Sequence, residues 1–269
     1  MVSDETTLRG APGWDVSRYL EYADLRLRPA LELLARIPDR HPKRIVDLGC
    51  GAGNVTRHLA ERWPQAEITG VDNSPEMLAR AMGEVPGVNW LEGDLATWAP
   101  GQPVDLIYSN AALHWVSNHE VLLPRLLEFL TPDGVLAIQM PNNFNAPSHR
   151  LMFHVAAQEP WATQLAKVQR KSPVAAPAFY YDLLAPRVFN LDIWETDYMQ
   201  VMTGEHPVAE FTKGTWLKPI LDALDEPDRT EFEKSYREAV RTAYPPRADG
   251  RTLFPFRRLF LLACLGDTE

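Results

Sequence analysis

Between Arg44 and Met140, short apolar runs alternate with stretches whose apolar residues recur at helical spacing. That rhythm predicts βαβ units and a mostly parallel sheet, because parallel neighbours need a crossover connection between them. Strands are expected at Arg44–Leu48, Glu67–Val71, Val88–Leu91, Val104–Ser109 and Gly134–Met140, with helices at Asn54–Arg62, Pro75–Met82 and His119–Leu130. Right-handed crossovers would build these into a three-layer sandwich. Ahead of them, Ser17–Ile37 carries Tyr19, Leu20, Ala23, Leu27, Leu31, Leu34 and Ala35 at helical spacing, interrupted by Pro29. Proline disfavours helix in the residue before it, so two helices are expected to meet at Arg28 and Pro29. Past Met140 the rhythm is lost. Pro141–Asn190 holds helical pieces among proline, alanine and aromatic residues, Ile193–Met202 reads as a strand, Pro207–Tyr244 is mainly helical, and Arg258–Leu265 reads as a last strand. Long insertions between late strands are where a substrate cap belongs.

Composition changes the picture only by exclusion. Hydrophobic residues make up 45% and charged residues 23% of the 269, and no stretch approaches the roughly 18 apolar residues a membrane span needs. No membrane association is expected. A formal net charge of -9 and a pI near 5.3 argue against a nucleic-acid partner held by phosphate contacts. Basic residues still cluster at Arg26 and Arg28, from Arg36 to Arg44, and at Arg257 and Arg258, so a small anionic substrate fits. Two cysteines, Cys50 and Cys264, make neither a disulfide framework nor a metal cluster, and the start of the chain lacks the pattern of a secretory signal. A cytoplasmic location is expected. The scattered histidines lack metal-ligand spacing, so no metal site is expected. Oligomeric state is open, and a monomer is compatible with the sequence.

The chemistry concentrates at the predicted strand ends. Val46-Asp47-Leu48-Gly49-Cys50-Gly51-Ala52-Gly53-Asn54 closes the first strand and opens a helix. Its alternating glycines allow a tight turn and close approach of backbone to a ligand. A dinucleotide fingerprint would need glycine or alanine where Asn54 stands. Asp47, two places before the first glycine, accommodates an ammonium-bearing ligand better than a pyrophosphate. In Gly70-Val71-Asp72-Asn73-Ser74-Pro75, Asp72 stands where a carboxylate bonds ribose hydroxyls, while Ser74-Pro75-Glu76-Met77 caps the next helix. Glu92-Gly93-Asp94-Leu95 follows the third strand with a carboxylate for an adenine amino group and an apolar neighbour for its ring. Tyr108-Ser109-Asn110-Ala111-Ala112-Leu113-His114-Trp115 closes the fourth, where His114 and Trp115 either line a site or pack under the following helix. Cys50 reads as a small residue beside a cofactor rather than a nucleophile.

Four such elements in register resemble the class I methyltransferase domain over Ile45–Met140, through Asp47-Leu48-Gly49-Cys50-Gly51-Ala52-Gly53, Asp72, Asp94-Leu95, and Asp105-Leu106-Ile107 with Asn110. The resemblance implies an α/β fold, a three-layer α/β/α Rossmann-like seven-stranded sheet with the last strand antiparallel. It also implies S-adenosyl-L-methionine as cofactor and S-adenosyl-L-homocysteine as product. The residues implied at the cofactor are Arg28, Asp47, Gly49, Cys50, Gly51, Asp72, Asn73, Met77, Asp94, Leu95, Asn110 and Ala111. A closer likeness, to the trans-aconitate 2-methyltransferase family, runs through Trp14-Asp15, Tyr19-Leu20, Arg26 to Leu34, Gln139 to Asn143, Tyr180 to Leu184, Ile193 to Thr196 and Phe256 to Phe260. Such enzymes esterify one carboxylate of a tricarboxylic acid. Pro160–Pro177 departs from the family's pattern, which leaves lid geometry and substrate size open.

The expected organisation is a single domain over 1–269. It has N-terminal helices in 1–43, a cofactor-binding half in 44–140, helical cap insertions in 141–191 and 203–256, and late strands at 192–202 and 257–265. A carboxylate, with an ordinary pKa of about 4, is already ionised at neutral pH, so no general base and no other catalytic residue is expected. Alignment of acceptor, methyl and sulfur is the protein's task. Donors to orient the acid are expected among Tyr19, Arg26, Tyr180, Tyr181 and Arg258, with Lys218 and His149 behind them and Trp115 lining the site. For each tyrosine a core or rim role is the ordinary alternative, and for Arg26 or Arg28 a helix-face salt bridge. Arg258 ranks first, because arginine's planar fork suits carboxylates and aromatic residues flank it. The alternatives are a methyltransferase for another small acceptor and a cofactor-binding regulatory protein without catalysis; a nicotinamide-dependent dehydrogenase is disfavoured by Asn54.

Overall fold

The computed structural model describes residues 23–38, 40–168, 172 and 174–267. Strands β1 (Arg44–Leu48), β2 (Glu67–Asp72), β3 (Asn89–Glu92), β4 (Val104–Asn110), β5 (Leu130–Pro141), β6 (Asn190–Met202) and β7 (Thr252–Cys264) form one sheet in the order β3-β2-β1-β4-β5-β7-β6. All pairings are parallel except those of β7, which runs antiparallel to both β5 and β6. This is the seven-stranded sheet with an antiparallel last strand that the resemblance implies. The order reverses between β1 and β4, where Asp47 lies beside Tyr108. In open α/β sheets ligands sit at the carboxyl ends of strands at such a switch point.

Helices α1 (Ala23–Arg36) and α2 (Thr56–Arg62) cover one face of the sheet. Helix α3 (Pro75–Glu84) follows β2, capped by the Ser74 hydroxyl accepting from the Met77 amide. Helices α4 (His119–Glu128) and, further along, α7 (Pro177–Leu184) cover the other face, over the buried row Leu136, Ile138 and Met140. Past β5, helices α5 (Pro147–Ala156), α6 (Ala162–Leu165), α8 (Pro207–Lys213), α9 (Lys218–Asp222) and α10 (Asp228–Ala243) enclose a separate core with Phe254 and Phe256 of β7. This is a helical cap joined to the sheet through the first half of β7. Among the described residues no helix is long and apolar enough to cross a membrane, and no group of three or more His, Cys, Asp or Glu is placed to hold a metal ion.

Two local expectations are corrected. Helix α1 runs through Pro29 without a break at Arg28, so one helix stands where two were expected. An interior proline costs about 3 kcal/mol, but α1 buries Ala30, Leu33 and Leu34 against the sheet. Polar contacts add to that: Glu32 accepts hydrogen bonds from Trp194 Nε1 and Thr196 Oγ1, both 3.1 Å, and from the Tyr198 hydroxyl on β6. The Tyr108 hydroxyl also donates to the Ala30 carbonyl at 2.8 Å. Packing outweighs propensity here. The last strand begins at Thr252 rather than Arg258. Pro255 is tolerated because β5 ends opposite Arg258, so Pro255 pairs with β6 on one side alone.

Candidate active site

A cavity of about 1150 Å³ opens at the carboxyl ends of β1 to β5 and extends beneath the helical cap. One half of it is built from the loops after the first four strands. At the end of β1 the chain turns sharply, with the Gly49 and Cys50 amides both donating to the Val71 carbonyl at 2.8 and 3.0 Å. Gly49, Gly51 and Gly53 all have positive φ, at 85°, 54° and 79°, where other residues are strained. A Cβ on Gly49 would lie 2.1 Å from the Ala112 Cβ, so the β1 and β4 loops meet at this glycine. Ala111, next to Ala112, also has a positive φ, of 53°. Backbone strain of this kind in a non-glycine residue is characteristic of ligand sites.

Carboxylates line this half. Asp47 is buried and accepts from Thr56 Oγ1 at 2.6 Å. Burial pushes its pKa up to about 7, with the nearby Asp72 charge adding to the rise and the Thr56 bond opposing it. The Asp72 carboxylate accepts from the Gly51 and Ser74 amides, both at 2.9 Å, and burial raises its pKa as well against those bonds. Asp94 accepts from the Ala96 amide at 2.9 Å with one oxygen, and Glu76 and Glu92 complete the acidic rim. Burial, together with Asp47 and Asp72, raises the Cys50 thiol far above its ordinary value, so it stays protonated and inert.

The other half is aromatic and carries the cavity's described cations. Trp115 stacks on Trp216 with ring centroids 5.4 Å apart, and Trp216 meets Phe144 at 5.5 Å and His149 at 5.9 Å. Phe153, Phe211 and Phe256 continue the wall. Arg258 is 3% exposed, and its guanidinium lies 4.5 Å from the centroid of the Phe256 ring. Lys218 is held 2.6 Å from Asp222 one helical turn away. Burial lowers the His149 pKa to about 4, so this ring is neutral at ordinary pH.

Asp47, Gly49, Cys50, Gly51, Asp72, Asn73, Met77, Asp94, Leu95, Asn110 and Ala111 of the expected cofactor set line the cavity, as do Trp115, His149 and Arg258 of the expected acceptor set. Three others lie elsewhere. Arg28 sits on the exposed side of α1, 5.2 Å from the Tyr198 ring. Tyr180 is buried under the opposite face of the sheet, 2.7 Å from His119 Nδ1 and accepting from the Ala175 amide. Its neighbour Tyr181 is exposed on α7. Tyr19 and the Arg26 side chain lie outside the described residues. Sequence reasoning missed the aromatic wall of Phe144, Phe153, Phe211 and Trp216, which comes from cap segments that lack a motif.

The residues fit S-adenosylmethionine on two observations of this structure. A cradle at Gly49 would be closed by a single methyl group, and ionisable acids stand at the tips of successive strands where an amino acid ammonium and ribose hydroxyls need acceptors. The comparisons agree. Residues 45–134 match the family model described as a methyltransferase domain. The chain is 50% identical over 252 residues to a trans-aconitate 2-methyltransferase of Azoarcus sp. (strain BH72), covering 94% of this chain and 99% of that one. It is 49% identical to a trans-aconitate 2-methyltransferase of Streptomyces avermitilis, covering 94% and 97%. Among solved structures, the YcgJ protein from Bacillus subtilis aligns with a TM-score of 0.55 at 16% identity over 88% of this chain and 98% of that one, a likeness of fold. Identity near one half across almost the full length of both chains, on a sheet of this topology, leaves one conclusion: the chain belongs to the trans-aconitate 2-methyltransferase family of S-adenosylmethionine-dependent methyltransferases.

Proposed function

We propose that this chain esterifies a carboxylate of trans-aconitate with the methyl group of S-adenosylmethionine. The observation that carries the reading is the sorting of charge along one cavity: carboxylates at the tips of β1 to β3, and a buried arginine among aromatic rings at the far end. When bound, the cofactor supplies an electrophilic methyl on a sulfonium. Asp47 would hold its ammonium, Asp72 its ribose hydroxyls and Asp94 its adenine amino group, with Leu95 and Met77 against the ring. Arg258 would orient the acid from the other side through its planar fork. The rings of Trp115, Trp216 and Phe144 exclude water, which strengthens each polar contact inside. With its pKa lowered to about 4 by burial, His149 is a weak base, and the acceptor's own ionised carboxylate needs none to act as the nucleophile, in keeping with a mechanism of positioning. A radiolabelled methyl-transfer screen over di- and tricarboxylic acids is expected to show alkali-labile label on trans-aconitate; label on none of the acids would refute the reading.

Asp47 gives the reaction a pH signature. Its carboxyl titrates near 7 in the fold against an ordinary aspartate value of 3.8. Between those values the unfolded chain has released a proton the fold still holds, so ligand-free stability falls as pH rises through this window and levels off above about 7. An ammonium placed against Asp47 favours its ionised form. Affinity for S-adenosylhomocysteine should therefore rise as pH increases from about 5.5 to 7.5, with release of a proton on binding. Calorimetric titrations in buffers of different ionisation enthalpy measure this directly, and Asp47→Asn should flatten the profile as well as weaken binding. A wild-type affinity independent of pH, with no proton released, would contradict the assignment.

A further inference from the structure

Next to the acceptor half, behind the residues that line it, lies one more polar side chain that the reaction as described leaves unused. Gln139 on β5 is fully buried, and neither its carboxamide nitrogen nor its oxygen has a hydrogen-bond partner. Pairing is the rule for buried amides, and an unpaired one calls for an explanation. The sheet register fixes where it lies. Gln139 stands opposite Asn110 on β4 and Phe260 on β7. Opposed residues share a face of the sheet, as do residues two apart on one strand. Gln139 therefore shares its face with Asn110 and, one step along, with the paired Pro141 and Arg258. Asn110, Pro141 and Arg258 all line the cavity. Ala137, one step back on that face, belongs to the packed apolar core. The polar residue stands where β5 leaves that core for the site, backed on its β7 side by Phe260 stacked 4.7 Å from Trp194. Asn110 Oδ1 beside it is likewise buried and unpartnered.

We infer that Gln139 is a specificity residue, whose Nε2–H is donated to a carboxylate of the acceptor that Arg258 does not neutralise. This rests on the carboxylate-esterifying reading and deepens it. A polycarboxylate brings more negative charge than the described cavity has cations, which are Arg258 and the Lys218 already engaged by Asp222. A neutral amide orients a carboxylate through a charge-assisted hydrogen bond without a full ion pair. The oxygens of such an acid are also the partners that a buried, unsatisfied N–H lacks.

Two variants test it. Gln139→Met keeps the length of the side chain and removes both polar atoms, and Gln139→Glu keeps the shape but sets a carboxylate against a carboxylate. Both should raise the KM for trans-aconitate about tenfold or more, as expected for a lost hydrogen bond to a charged group, with the larger effect from Gln139→Glu. The dissociation constant for S-adenosylhomocysteine should stay within about twofold of wild type, and the thermal midpoint of ligand-free Gln139→Met should not fall, because no hydrogen bond is lost. An unchanged KM in both variants overturns the inference, and so does a loss of S-adenosylhomocysteine affinity in step with KM, which would put Gln139 against the cofactor. Wild-type protein that methylates no polycarboxylic acid overturns both this inference and the reading beneath it; active wild type with unaffected variants overturns this inference alone.

Discussion

Arg258→Leu is expected to raise the KM for trans-aconitate by about two orders of magnitude while leaving affinity for S-adenosylhomocysteine close to wild type. The size follows from removing one partner of a desolvated charge pair, which costs roughly 2–5 kcal/mol, where each 1.4 kcal/mol is tenfold. Arg258 is 3% exposed and its guanidinium lies on the Phe256 ring, so an acid docked there is shielded from water on the protein side. Leucine can cover Phe256 as the arginine stem does, and the thermal midpoint of the ligand-free variant reads the cost to the fold of removing a buried charge separately from the effect on KM. Arg258→Lys keeps the charge but loses the planar fork, so an intermediate loss of about tenfold is expected. Steady-state kinetics of both variants, with calorimetry of S-adenosylhomocysteine binding alongside, separate acceptor from cofactor. A KM for trans-aconitate unchanged in Arg258→Leu would remove the arginine from acceptor recognition.

What the sequence disclosed about this site followed how local each feature is. The turn from Asp47 to Gly53 requires residues able to take positive φ, and Asp72 and Asp94 follow strands whose apolar runs are short and well bounded, so position along the chain fixes position in the site. Arg258 was legible for the same reason, as a charged residue inside an apolar strand. The misplaced tyrosines show where such reading ends. Helix α7 is only eight residues long and apolar around most of its circumference, so its periodicity does not select the face that Tyr180 or Tyr181 presents. Tertiary contacts decide that, and they turn Tyr180 toward His119 under the far side of the sheet. Pro29 misled for a related reason, since the rule it invokes is local while the force that overrides it is the burial of Leu33 and Leu34 and the grip of β6 on Glu32. The aromatic wall of Phe144, Phe153, Phe211 and Trp216 carries no signal in any window of the sequence, because its members meet only when the cap folds over the strand ends.

Gly49→Ala should abolish cofactor binding and lower the thermal midpoint of the ligand-free protein by roughly 10 °C, taking about 2–5 kcal/mol from overpacking and positive-φ strain at the few degrees per kcal/mol usual for a chain of this size. The added methyl would stand 2.1 Å from the Ala112 Cβ and 3.6 Å from its Cα. Neither neighbour is the end of a flexible side chain. The β1 loop must therefore move away from the β4 loop, and both loops line the cavity. Gly51 supplies the control. Its φ is also positive, at 54°, but a Cβ there would meet nothing within 4 Å. Gly51→Ala should thus lose only about 1–2 kcal/mol of stability to backbone strain and still weaken the cofactor, because Gly51 lines the cavity and its amide holds the Asp72 carboxylate. Thermal-shift curves of the two variants, with and without S-adenosylhomocysteine, distinguish a collapsed cradle from an obstructed one. If Gly49→Ala kept the wild-type midpoint and the wild-type shift on adding S-adenosylhomocysteine, the meeting of the two loops at this glycine would not be what shapes the site.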